Sequence, residues 1–535
     1  MNSETSDTTL SSRIASLVHA HFNALPTRSK PSIFSDGSRE WIPMTGIVAV
    51  KGENTPLETL TCLTVTSGAK CLSASHIPRC NGLVLHDCHA EILAIRAFNY
   101  WLLTECKGLL FQEQQSAYDA LNPDDTEPPG SSFIRRRSTE HGEDGRKPHP
   151  EWPPFEIQPD IKIYMYCTCA PCGDGSMELC MAAQEDATPW EVPQQTQNGH
   201  DTEDTPNGEM FLDGRAHFSL LGIVRRKPSR TDAESTRSKS CSDKLALRQV
   251  SSLLSSETSR LVAPTKNVYI AGLVLPEEEI SRVACERSFG ANGRMKGLAG
   301  RSWPEKIDHD KETGYQFRPF QILSVPSEEV AALWCFAKPK PVTSPAITPQ
   351  KEDTPQTQSA RKSKPGNASA VWTLAPTYCD PSEIMTEKGS KALPTLRRSK
   401  TGLYETVING VKQGNRASAP GARGASALSR AKMWALFRNI SFGPTSAQVG
   451  DVSAVVPETP EAQKPQESTY MKFKEPHGKK DPLSIRMQAM RDAQQVLKGW
   501  MPNSGDEGWG LDVLVDSKKE SVDKKDSPSE IISRG

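Results

Sequence analysis

Apolar residues recur at helical spacing in IASLVHAHFNAL (14–25), HAEILAIRAFNYWLL (89–103) and DPLSIRMQAMRDAQQVLKGW (481–500), and each stretch predicts a helix with one apolar face. Between the helices lie β-branched runs. GIVAVKG (46–52), LTCLTVTSG (60–68), IKIYMYCT (161–168) and NVYIAGLVL (267–275) predict strands. Shorter helical patterns follow two of them, SMELCMAAQ (176–184) and EEEISRVACERS (277–288). Alternation of strands and helices favours α/β layering over an all-α or all-β protein. No fixed-period repeat is present, which argues against a solenoid or propeller.

Other segments have a different character. Residues 112–158, 184–209, 339–368 and 443–468, and the end of the chain, are polar, charged and Pro-rich, with no apolar period. Nothing in them offsets the entropy of ordering, so they are expected to be disordered insertions and a disordered tail. They explain an average of 36% hydrophobic residues and 41 prolines in 535 residues, too poor for the three or four domains that length alone suggests. The 64 Lys and Arg nearly cancel the 65 Asp and Glu, so net charge neither suggests nor excludes a nucleic-acid partner. No apolar run approaches the ~18–20 residues of a membrane span. The polar start MNSETSDTTLSS lacks a secretory pattern, and both nuclear and cytoplasmic residence are compatible with it. The 13 cysteines are therefore expected as reduced thiols, with metal ligands possible among them.

The densest chemistry is HDCHAE (86–91), where His89 and Glu91 form H-x-E at a helix start. An imidazole can ligate zinc, and a carboxylate two residues on can sit beside a metal-bound water without ligating the metal. Alone, the pair more often caps a helix or faces solvent. A second feature follows a strand: CTCAPCGDGSMELC, with Cys172 after Pro171 and before a short helix. Zinc deaminases of bases combine H-x-E with P-C-x-x-C. Here Gly173, Asp174 and Gly175 follow Cys172, so a third ligand must come from elsewhere. Cys167 and Cys169 read as strand residues facing the core, and Cys180 as a small buried helix residue. Cys241 stands far along the chain in the basic stretch RSKSCSDKLAL, an odd place for a core residue. Spacing leaves Cys241 and the local cysteines open.

HDCHAEILAIRAF, APCGDGSME and SCSDKLAL, in that order, resemble the three deaminase motifs of the RNA-editing adenosine deaminases, which comprise the double-stranded-RNA editors and the eukaryotic tRNA adenosine deaminases. GAKCL (68–72) and LDGRAHFSLLGIVRRKP (212–228) extend the likeness to roughly residues 40–510. It implies His89, Cys172 and Cys241 as zinc ligands, a fourth position for water, and Glu91 as proton shuttle. It also implies a cytidine-deaminase-like mixed sheet with helices on both faces, enlarged by C-terminal elements. The expected organisation is a helical lead-in (1–40), one deaminase domain (41–510) carrying the insertions, and a tail (511–535). LHDCHAEILAIRAFNYWLL, GRAHFSLLGIVRRKP and INGVKQGNR resemble the tRNA branch, whose members deaminate adenosine 37, just 3′ of the anticodon, in alanine tRNA. About 40 residues before the first strand are too few for the separate binding domains of the double-stranded-RNA editors.

Two further groups of residues follow, the first, apart from Lys70 of GAKCL, from the basic run VRRKPSRTDAESTRSKSCSDK (224–244) that contains Cys241 and the second from the likeness. Lys70, Arg225, Arg226, Lys227 and Arg230 are expected to meet RNA, the anticodon stem-loop of tRNA being the partner. The family buries inositol hexakisphosphate beneath the active site, and the matching positions are Arg96, Lys244, Lys400, Tyr470, Lys474 and Trp500, with Arg486 a possible member. Ile95 and Leu247 stand where the double-stranded-RNA editors have Arg, and Ala69 replaces the Thr of G-T-K-C. No obligate protein partner is evident. The rival readings are an RNA-binding protein whose zinc site has no turnover, and a double-stranded-RNA or mRNA deaminase. Deamination of a free nucleoside is disfavoured by the wide ligand spacing and the basic segments.

Overall fold

A computed structural model describes residues 8–119, 130–137, 152–183, 212–214, 220–227, 234–304, 313–339, 363–378, 399–443, 468–476, 478 and 481–515. Most of the four insertions, and the tail beyond 515, lie outside these residues. Eight strands form one mixed sheet: β1 Met44–Lys51, β2 Thr59–Ser67, β3 Ile161–Cys167, β4 Ile270–Pro276, β5 Gln321–Val325, β6 Ser369–Leu374, β7 Thr401–Ile408 and β8 Val411–Lys412. Their order across the sheet is β5-β4-β3-β1-β2-β6-β7-β8. The β3–β4 and β4–β5 pairs are parallel and the others antiparallel. β1 and β6 are buried along almost their whole length, which requires cover on both faces.

The cover comes from helices. α1 (Leu10–Ala24) is capped by Thr9, whose Oγ1 accepts the Ser12 N–H at 3.2 Å. It presses Val18 against Gly46 of β1 and puts Ile14, Val18 and Phe22 into the same core as the sheet. α2 (Ala90–Asp119) packs on β1, β2 and β6 through residues such as Ala94, Phe98, Trp101 and Leu102. α3 (Met177–Ala182), α4 (Cys241–Ser251), α5 (Arg282–Phe289) and α6 (Ser327–Leu333) follow, then α7 (Arg430–Phe442), α8 (Tyr470–Phe473) and α9 (Pro482–Val496). α9 lays Ala489 and Ala493 against Ala246, Leu247 and Val250 of α4, a second core beside the first.

All four strands expected from the apolar pattern are present. β5, β6, β7 and β8 were not legible in it, because SAVWTL and TGLYETVI are short and flanked by low-complexity chain. The expected insertion at 112–158 needs correction at its ends. α2 runs on to Asp119, and Ile134–Arg136 pairs with Phe155–Ile157, sending Ile134, Phe155 and Ile157 into the main core. Those side chains bury enough apolar surface to order the segment despite its polar neighbours. Among the described residues no helix is long and apolar enough to cross a membrane.

Candidate active site

Three segments converge at one end of the central strands. β2 leads into a short hairpin, Ala69–Cys71 against Asp87–His89, and α2 starts on the residue after His89. Cys172 lies in the loop after β3, and Cys241 opens α4, whose cap Ser240 accepts the Asp243 N–H at 3.1 Å. The two cysteine segments are laced together. The Ser242 N–H donates to the Cys172 carbonyl at 3.0 Å, Ser242 Oγ donates to the Pro171 carbonyl at 3.0 Å, and the Cys241 N–H points at Cys172 Sγ at 3.4 Å. Gly173 takes φ +103°, and a Cβ there would meet Ser240 Oγ at 2.2 Å. The glycine of P-C-G-D is thus required by the approach of α4.

The electrostatics follow from this packing. The Cys241 thiol donates to Cys172, and Lys227 and His89 add positive charge, so Cys172 is held well below the usual thiol range. Burial and the neighbouring Cys172 push Cys241 the other way. Glu91, in the first turn of α2 and only 3% exposed, is pushed up by burial and by Cys172.

Behind His89 stands a buried charge network. Asp87 Oδ1 lies 3.0 Å from His89 Nδ1, and Lys227 Nζ donates to Asp87 at 2.9 and 3.2 Å. Ser238 Oγ donates to Asp87 at 2.7 Å, and Lys244 Nζ also bonds it. Burial alone would raise the Asp87 carboxyl, but Lys227, Lys244 and His89 outweigh it and hold it well below the ordinary range. Lys227 Nζ also lies 3.3 Å from Cys241 Sγ. Asp87 therefore occupies one imidazole nitrogen and leaves Nε2 for a metal, the usual backing of a ligating histidine.

Among the described residues, two groups bring three ligand-type atoms within 4.8 Å of one another: Cys71, Asp87 and His89, and Cys80, His86 and Asp506. Charge argues against a cation in either. Asp87 already carries two ammonium groups, and Arg430 Nη1 lies 3.3 Å from Asp506 Oδ2 while His86 Nε2 bonds the same carboxylate at 2.9 Å. Cys71 is a member of the site the sequence did not single out: its Sγ is 3.2 Å from Asp87 Oδ1 and 3.4 Å from His89 Nδ1. Its signal was the G-A-K-C stretch itself. Cys167, by contrast, is a buried core residue accepting from Thr45 Oγ1 at 3.4 Å, whereas Cys180 lies on α3 as expected but is half-buried instead of buried.

The expected RNA contacts divide. Arg225 and Lys227 are corrections: they are 1% and 4% exposed and point inward. Arg225 donates to the Leu220 carbonyl at 2.5 Å and the Gly214 carbonyl at 3.4 Å, and its N–H donates to Asp243 Oδ2 at 3.0 Å. A basic run reads as a solvated face only where each residue can reach water. Here buried carboxylates and carbonyls capture every second side chain of V-R-R-K. Arg226 and Lys70 are half-buried, and Arg230 lies outside the described residues.

A second cluster of cations sits apart from the cysteines. Arg248 Nη1 and Arg486 Nη2 both donate to the Leu254 carbonyl, at 3.0 and 2.8 Å. Burial, then the neighbouring Arg486 and Arg96, push Arg248 down to about 9. Burial and Arg430 lower both Arg96 and Lys474. Lys474 Nζ lies 5.6 Å from the Tyr470 ring centre, and Tyr470 Oη donates to Glu257 Oε1 at 3.2 Å. Arg96, Tyr470, Lys474 and Arg486 are thus brought together. Lys400 is not: it is exposed at the start of β7, and Arg430 stands in the cluster instead. Lys244 faces Asp87 and Ser238, and Trp500 packs beside α9 with Lys239 Nζ 5.2 Å from its ring centre. Arg248 was missed although it lies one helical turn after Lys244, on the same face of α4. Ile95 and Leu247 are core residues.

A profile of the adenosine-deaminase (editase) domain matches residues 64–128 and 145–394, more than half of the chain. The chain belongs to the adenosine-deaminase (editase) family. In this family the chain is 35% identical over 312 residues to the "tRNA-specific adenosine deaminase 1" of Schizosaccharomyces pombe, covering 58% of this chain and 66% of that protein. It is 28% identical over 337 residues to the protein of the same name from Saccharomyces cerevisiae, 62% of this chain and 72% of that one. The match to the rat "Double-stranded RNA-specific editase B2" is shorter, 32% over 134 residues and 14% of that protein. Matched stretches therefore span about two thirds of the yeast relatives and a small part of the editase. Membership makes the chain a hydrolytic deaminase, with Glu91 and the two cysteine segments inside the matched domain.

Proposed function

We propose that this deaminase converts adenosine to inosine in tRNA, at position 37 of alanine tRNA, with zinc as its metal. The observation that carries the reading is the placement of a buried Glu91 within electrostatic reach of His89 and Cys172, which is itself bonded to Cys241. The two yeast relatives named for tRNA, matched over far more of their length than the editase, support the substrate.

His89, Cys172 and Cys241 fit zinc: one imidazole with its other nitrogen braced by a carboxylate, and two cysteines whose segments are bonded to each other. Bound there, zinc would supply a water acidic enough to ionise near neutral pH. The residues of the chain do the rest. Glu91 takes a proton from the attacking water and delivers it to N1 of adenine as oxygen adds to C6. It then carries the second proton to the amino group, which leaves as ammonia. Asp87 fixes the imidazole, and Lys227 offsets the charge of Cys241. The base must leave its stack to be reached, at less cost in an anticodon loop than in a duplex.

The cation cluster fits a polyanion. Arg96, Arg248, Arg430, Arg486 and Lys474 gather around three acids, Glu257, Asp506 and Glu507, and Arg260 Nε and Arg486 Nε are buried without a hydrogen-bond partner. Like charges held together in a poorly solvated interior are costly unless a counter-ion joins them. Inositol hexakisphosphate, held by these residues and Tyr470, would supply it.

The reading is tested by sequencing inosine in bulk tRNA after incubation with purified protein. Inosine confined to position 37 of alanine tRNA is the expected outcome. Inosine in added duplex RNA, with none in tRNA, would move the chain to the other branch.

A further inference from the structure

The loop that joins β8 to α7 is built as a basic ledge beside the catalytic hairpin. Between residues 401 and 438 the chain carries Lys412, Arg416, Arg423, Arg430, Lys432 and Arg438 against a single acid, Glu405. That acid is spent inside the fold, accepting from Ser426 Oγ at 2.5 Å and the Ala427 N–H at 3.0 Å. Arg430 turns inward to Asp506, whereas Arg416 and Arg423 are exposed. In a protein whose charges nearly cancel over the whole chain, this is a local excess of one sign.

The ledge is fixed to the site. Gly410, with φ +82°, lies so close to the chain that a Cβ would meet the Leu85 carbonyl oxygen at 2.4 Å, and the Leu85 N–H donates to the Gly410 carbonyl at 2.9 Å. Ala417, next to Arg416, packs with Leu72 on Cys80, Val84 and Val411. Leu72 follows Cys71 and Leu85 precedes His86, so the hairpin that carries His89 is gripped beside one strand by Ala417 of this loop and beside the other by Gly410 in the turn between β7 and β8. Arg79, exposed on the turn before Cys80, adds a cation at the same contact. The Lys412 N–H to Gly424 carbonyl bond at 2.9 Å closes the loop on itself.

We propose that this ledge, through Arg79, Arg416 and Arg423, binds the phosphodiester backbone of the tRNA flanking the adenosine that enters the site. The proposal rests on the tRNA deaminase reading and assigns its RNA contacts to a face other than 224–230. RNA is the partner because a strand whose base reaches the hairpin must pass alongside it, and phosphates match exposed guanidinium groups.

The test is direct tRNA binding and turnover by Arg416→Gln/Arg423→Gln across a salt series. Expected are a roughly ten-fold weaker affinity at low salt, a salt slope reduced by about 2, and a kcat at saturating tRNA within about two-fold of the parent. Arg416→Lys/Arg423→Lys should recover most of the affinity. Unchanged affinity and slope would overturn the proposal. Because binding is read separately from inosine, a parent protein that binds tRNA without deaminating it would sink the functional reading and leave the ledge standing.

Discussion

Glu91→Gln should keep its metal and its tRNA affinity within about two-fold and lose inosine formation by roughly 10²–10⁴-fold or more. The amide fills the same space at the start of α2 but cannot accept a proton. Burial and Cys172 already push Glu91 toward its neutral form, so replacing it with a neutral group costs little stability. The loss should therefore appear in single-turnover rates, with thermal unfolding and metal content unchanged. Near-parental turnover would remove Glu91 from the chemistry. The same variant separates an enzyme from a zinc-containing RNA binder, because only the enzyme has something to lose.

Lys227→Met should unfold at lower temperature, by on the order of 3 kcal/mol of stability, and should retain its metal poorly. The side chain is buried between Asp87 and Cys241. Its removal leaves Asp87 with one ammonium group, Lys244, beside its bonds to Ser238, His89 and Cys71, and strips Cys241 of the ammonium 3.3 Å from its sulfur. Arg226→Gln, one residue earlier and half-buried, should barely change the unfolding temperature. If Lys227 served RNA instead, its loss would change only the salt-dependent affinity for tRNA and leave unfolding where it was.

These two residues show what the sequence could carry. His89, Glu91, Cys172 and Cys241 were singled out by the likeness to the editing deaminases, spacing alone having left Cys241 open, and the fold brings together their segments from the hairpin, the start of α2, the loop after β3 and α4. Lys227 was legible as a cation but not as a buried one. Nothing local in V-R-R-K says that Asp87, more than a hundred residues earlier, will capture its ammonium. The cation cluster shows the same limit. Tyr470, Lys474 and Arg96 came from the family likeness, whereas Arg430 in place of Lys400 depended on how α7 docks. The strands β6 and β7 were hidden for a different reason. Their apolar runs are short, and pairing of β6 with β2 and of β7 with β6 stabilises them more than any local pattern does.

The central claim is that His89, Cys172 and Cys241, and not Cys71 or Cys180, hold the metal on which Glu91 depends. It is tested most directly by metal content in purified Cys241→Ser, Cys71→Ser and Cys180→Ser proteins, each checked for folding. The parent, Cys71→Ser and Cys180→Ser should each carry about one zinc per chain, and Cys241→Ser should carry little or none. Full zinc in Cys241→Ser together with its loss in Cys71→Ser would place the metal on the other side of His89 and contradict the account.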